Sequence, residues 1–202
     1  MNLRQAMSRF QNTIYARAVR HGLTLAIPFL IMGSFALLLT NFPLGVYQDF
    51  IRTWMNGAAS AILETLYQIS LGSLALVLTV TISISYGHLT ETDQLFLYPI
   101  VAVCSYLAFC GGIENQSDYI FNAEWVFTAM VITLLSCVLF HKILKLGHRF
   151  ERLHTTGADY LFNISIQCLI PVILVSLFFA VTGYVLRVAW DSSNITNFGS
   201  YL

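Results

Sequence analysis

The chain has 202 residues, of which 57% are hydrophobic and only 10% charged, with a formal net charge of zero. Soluble domains carry about 25% charged residues, so this composition cannot clothe a surface that meets water on all sides. It excludes a free-standing soluble protein and points to an integral membrane protein; no nucleic-acid partner is expected, and membrane lipid is the first partner.

A helical span needs roughly 20 mostly apolar residues to cross about 30 Å of hydrocarbon. Five segments approach that length: 23–41, 66–86, 95–112, 124–144 and 161–186. The predicted fold class is all-α: a polytopic membrane helix bundle of about five transmembrane helices, with an N-terminal amphipathic helix at 1–20 and residues 1–202 forming one membrane domain.

Before the first span, Leu3, Met7, Phe10 and Ile14 recur at helical spacing with arginines beside them. An amphipathic helix on the inner membrane surface uses such a stripe, and so does a short packing helix on the cytoplasmic side. The first apolar block is too long for the core of a cleaved signal and lacks a small-residue cleavage pattern, so it reads as a retained span. Inside it, Pro28 removes one helix hydrogen bond, and Gly33–Ser34 offer a spot where another helix approaches closely. Pro43 marks its end.

Residues 44–64 read as an outer segment whose Tyr47, Phe50 and Trp54 suit the membrane interface; Gly57 to Ala61 are small enough to pack tightly. In the second span, Thr79, Thr81, Ser83 and Ser85 alternate with apolar residues. An open strand leaves its backbone unsatisfied in lipid, so this segment is expected to be helix, its hydroxyls bonding back to the preceding turn. In the turn that follows, Thr90, Glu91, Thr92 and Asp93 resemble capping chemistry for the third span.

The third span closes at Gly111–Gly112 before an acidic outer loop, in which Asn115 begins a glycosylation-type sequon, as Asn194 does near the end. The fourth runs into the basic stretch "FHKILKLGHRFERLH", whose cations snorkel at a span end or offer a docking surface to an acidic partner. The fifth carries Pro171 and ends near Arg187. With alternating spans, Arg4, Arg9, Arg17, Arg20, Lys142, Lys145, Arg149 and Arg152 share one side, and Arg52 and Arg187 the other. The positive-inside rule places the first set and the N-terminus in the cytoplasm.

Chemistry is sparse. No phosphate-binding glycine loop, H-E-x-x-H or G-x-S-x-G occurs, and His21, His88, His141, His148 and His154 are not at ligand spacing. Cys104, Cys110, Cys137 and Cys168 lie in or beside apolar segments and read as packing residues. No span carries an ionisable residue at its centre. Accordingly, no catalytic residue, metal ligand or cofactor is assigned.

The opening "ARAVRHGLTLAIPFLIMGSFALLLTNFP" nevertheless resembles a known pattern, with Arg20, Gly22, Pro28, Gly33, Ser34, Phe35, Asn41 and Pro43 at its marked positions. It is similar to the start of enzyme IIC, the permease subunit of the bacterial sugar phosphotransferase system (PTS), in its lactose/cellobiose branch. "AEWVFTAMVITLLSCVLFHKIL" and "NISIQCLIPVILVSLFFAVTGYVLR" resemble that family's fourth and fifth spans. The Gly-Val-Pro-Pro-like loop usual before the fifth span is absent, "LHTTGADYLFN" standing there instead. The resemblance implies a bacterial cell membrane protein in which this N-terminal half supplies scaffold and a homodimer interface for sugar transport. It implies a sugar substrate and a cytoplasmic IIB-type phosphocarrier partner, which would dock on 87–94 and 142–154. Family members hold their sugar in a second half, so no substrate-binding residue is assigned here. The alternative is a non-transporting membrane sensor or receptor module derived from the same fold.

Overall fold

Hydrocarbon offers a backbone no water to bond, which leaves helices or closed barrels as the spanning structures. The computed structural model describes residues 13–53, 57–92, 94–111, 121–146 and 160–198; among them every regular element is helical, with no strand. Seven α-helices follow in order: α1 Ile14–Thr40, α2 Gly45–Thr53, α3 Ala58–Ser70, α4 Leu74–Leu89, α5 Leu97–Cys110, α6 Val126–Leu146 and α7 Tyr160–Phe198. A 3₁₀ turn, Ala123–Trp125, leads into α6. Residues 1–12 of the expected amphipathic helix, Trp54, Asp93, the acidic loop with its sequon at Asn115, and the basic segment 147–154 lie outside the described residues.

Three helical stretches are long and apolar enough to cross a bilayer: α1, Ala123–Leu146, and Cys168–Ala189 within α7. Large apolar side chains such as Phe35, Phe127 and Leu177 are exposed along them, as they must be where lipid is the solvent. This is a multi-pass membrane protein. Helix α1 starts at Thr13, whose hydroxyl accepts from the amide of Ala16. Residues 14–20 therefore belong to the spanning helix itself, which also continues unbroken through Pro28.

The second predicted span takes a different form. Instead of one helix over 66–86, α3 and α4 meet at a 45° bend, separated by Leu71 to Ser73, as a broken span or a re-entrant loop. The first helix of the pair thus begins at Ala58, inside what the sequence suggests is an outer segment. At the break Ser70 and Ser73 donate to the carbonyls of Leu66 and Ile69, and the Ala75 amide donates to Phe121 O at 3.1 Å. Thr79, Thr81 and Ser83 bond back to Ala75, Leu78 and Val80 as expected. Ser85 Oγ is buried without a hydrogen-bond partner.

The third predicted span, 95–112, becomes the 14-residue α5, a rise of about 21 Å and short of a bilayer core. Pro99 sits in its first turn, and Gly111, at φ 89°, stops it in the left-handed conformation that glycine adopts without a Cβ clash. Its last carbonyls are met from α7, because Arg187 Nη1 donates to Cys110 O at 3.3 Å while its Nε donates to Gly183 O at 3.1 Å. Arg187 therefore places a cation at the negative end of a helix dipole, a role that counting charges by side does not reveal.

Helix α4 is central, packed on α1, α5 and α6; α3 covers the rest of α1, and α5 and α6 lie against α7. The main core holds Tyr98, Tyr106, Phe140, Cys137, Cys168 and Val175. On α1 the buried face is small throughout: Ala18, Gly22, Ala26, Gly33 and Ala36. A Cβ on Gly22 would stand 2.5 Å from Ile82 Cγ1 and 2.7 Å from Ile82 Cα, and one on Gly33 would overlap Ser70 and Leu71. The close approach expected at Gly33 thus occurs, within the chain. Van der Waals packing is the main attraction between helices in lipid, so Gly22→Ala is expected to cost ~1–3 kcal/mol. Leu25→Ala, on the lipid-facing side, should fall within about 0.5 kcal/mol of wild type; reversible unfolding in mixed detergent micelles measures both.

Candidate functional site

Polar side chains gather where the basic end of α6 meets the turn after α4. Tyr98, in the first turn of α5, is fully buried, and its ring lies against Tyr86 at 5.9 Å and edge-on to Phe140 at 5.3 Å between centroids. Tyr15 of α1 stacks on Tyr86 from the other side, at 6.4 Å. These aromatic contacts bring α1, α4, α5 and α6 together at one level and aim the Tyr98 hydroxyl at the turn.

The hydroxyl stands 3.0 Å from His141 Nδ1 and 3.2 Å from Thr92 Oγ1. Thr92 Oγ1 is 2.9 Å from Thr90 Oγ1, which in turn reaches the carbonyls of Tyr86 and Gly87 at 3.0 and 3.1 Å. Proton counting orients this chain. Carbonyls only accept and each hydroxyl carries one proton, so Thr90 donates to the backbone and accepts from Thr92. Thr92 then accepts from Tyr98, and Tyr98 accepts from His141 Nδ1–H. The imidazole therefore carries its proton on Nδ1 when neutral. Protonation takes place at Nε2 and leaves every bond of the chain intact.

The expected cap of α5 by this threonine-rich turn is not formed. The N-cap position of α5 is Phe96, without a side-chain bond, because Thr90 and Thr92 are engaged in the chain just described. Glu91, with φ 48°, turns the backbone out of α4. Of the other histidines, His21 and His88 are exposed on α1 and α4, and His148 and His154 lie outside the described residues. Among the described residues no three His, Cys, Asp or Glu side chains gather. Of the two segments singled out as a docking face, 87–94 is thus tied through Thr92 and Tyr98 to His141, with Lys142 and Lys145 of the other exposed beside the tie. Sequence inspection missed the link because its partners are 43 residues apart.

Deeper in the bundle, Ser105 of α5 and Thr133 of α6 are fully buried hydroxyls with no hydrogen-bond partner. The arrangement around Tyr98 as a whole braces α4, α5 and α6 by hydrogen bonds.

Tyr98→Phe removes the central link and strands the Thr92 hydroxyl and the His141 N–H, with an expected loss of ~1–3 kcal/mol. Nitrogen-15 NMR of neutral His141 should show a protonated Nδ1 and a bare Nε2; the reverse assignment contradicts the proton count. Comparison with protein-family models, with characterised proteins and with solved structures yields no match to this chain.

Proposed function

We propose that this chain is the scaffold half of a bacterial sugar permease of the enzyme IIC type, the membrane subunit of a phosphoenolpyruvate-dependent phosphotransferase system. It sits in the plasma membrane with its N-terminus in the cytoplasm and works as a homodimer. One observation carries the reading most: Gly22 and Gly33, two of the residues on which the resemblance rests, sit where a Cβ would overlap α4 and α3. The resembling stretch thus contains two positions at which packing admits no side chain.

A scaffold role also fits what the bundle offers a sugar. Binding a polyhydroxyl ligand takes several converging polar groups in a concave site. The Thr and Ser hydroxyls of α4 bond mostly to their own helix, and the groove along α1 is apolar apart from its mouth. The phosphoryl-carrying residue belongs to the IIB-type partner, whose place is the cytoplasmic face at Lys142, Lys145 and the turn at Thr90. The brace between Thr90 and His141 also favours a second reading, a non-transporting sensor: it couples the ends of α4, α5 and α6 to the basic segment that follows.

Reconstituted in nanodiscs, the chain is expected to show no specific binding of cellobiose-type disaccharides by calorimetry. Specific binding would place a sugar site within these residues and overturn the scaffold assignment. The dimer is tested separately. Since the small face of α1 is covered by α3 and α4, contact between copies through α1 uses its exposed residues, among them Ile31, Phe35 and Leu38. Cysteines placed there in a background free of the native four should form disulfide dimers, whereas Ala26→Cys should not. Monomer at every position removes the dimeric scaffold.

A further inference from the structure

A groove of about 680 Å³ runs along the outer flank of α1, walled by Val19, Arg20, Leu23, Ile27 and Leu30, with Leu134 of α6 opposite. It exists because α1 and α6 both pack on α4, so that the space between them stays open towards the membrane. Its walls are apolar except at one end. Thr24 also lines it, but the Thr24 hydroxyl donates to Arg20 O at 2.9 Å, so the charge of Arg20 dominates the polar character of the groove.

We propose that this groove holds one acyl chain of an anionic phospholipid from the cytoplasmic leaflet, with Arg20 on the phosphate. Length and charge both point to that occupant. From Arg20 to Leu30 the helix rises about 15 Å, the depth of one leaflet of a hydrocarbon core about 30 Å thick. Tyr15, one turn below, sits where an aromatic ring favours the interface. The same end of the bundle exposes Arg17, Arg20, Lys142 and Lys145, against Glu91 as the carboxylate among the described residues. A helix from a second copy fits less well. Along the lipid-facing stretches of α1 and α7 up to Leu186 the described side chains include no carboxylate, so such a helix would cover the guanidinium without pairing it, and a buried unpaired charge is costly. A phospholipid fills the slot and neutralises the charge at once. The inference rests on the membrane location and is independent of the sugar-permease reading.

Native mass spectrometry tests it on the full chain in micelles supplied with equal amounts of dioleoyl phosphatidylglycerol and dioleoyl phosphatidylcholine. Wild type should retain the phosphatidylglycerol preferentially. Arg20→Gln should lower that preference about fivefold, the effect of one cation near an anionic surface, and Leu23→Trp, which fills the groove, should abolish retention. Leu25→Trp, exposed on the face of α1 away from the groove, should change neither. Circular dichroism confirms that the variants are folded, and Arg20→Gln, at an exposed position, decides the matter if Leu23→Trp is not. Equal retention of the two lipids, or an unchanged preference in Arg20→Gln, overturns the proposal. So does a Leu23→Cys variant that cross-links to itself and loses its lipid, since a second copy then occupies the groove.

Discussion

The whole bundle depends on one constraint: at membrane depth every backbone N–H and C=O has to find its partner within the protein. Straight helices such as α1 meet it without help. The places where the chain departs from a straight helix are those where another element supplies the missing group. The bend between α3 and α4 is held by Ser70, Ser73 and the carbonyl of Phe121. The early end of α5 is met by Arg187, 77 residues away. Irregular backbone survives in lipid only where it is buried in protein in this way, and these partners explain why the bend and the short helix are stable features of the fold.

The second organising element is the size of side chains on α1. Because lipid tails are as apolar as leucine, helices in a membrane gain little from burying bulk and much from approaching closely. Gly22 and Gly33 give α4 and α3 that approach. This seats Ile82 against α1 and brings Tyr86 under Tyr15, which sets the height at which Tyr98 and His141 meet. The hydrogen-bonded brace between Thr90 and His141 is thus a consequence of packing at the middle of the first helix. The lateral groove has the same origin, since drawing α1 onto α4 rather than α6 leaves the flank open.

Much of this was legible in the residues themselves. Apolar length located α1, α6 and the body of α7, because hydrophobic span length is a local property that no packing can alter. The back-bonding of Thr79, Thr81 and Ser83 followed from the rule that a hydroxyl in lipid turns to its own helix. Other features were not legible for a physical reason that is the same each time. The bend after Ser70, the stop at Gly111, the cap from Arg187 and the chain from His141 to Thr90 all depend on groups far apart in sequence. A threonine-rich turn reads as an N-cap until a tyrosine and a histidine on other helices engage its hydroxyls. What the sequence by itself determined is that the chain is helical, lies in the membrane and packs α1 through small residues. What only the tertiary structure decided is where helices break and which polar groups meet, because satisfying a backbone group or a hydroxyl in hydrocarbon takes a partner that only the packed bundle brings within reach.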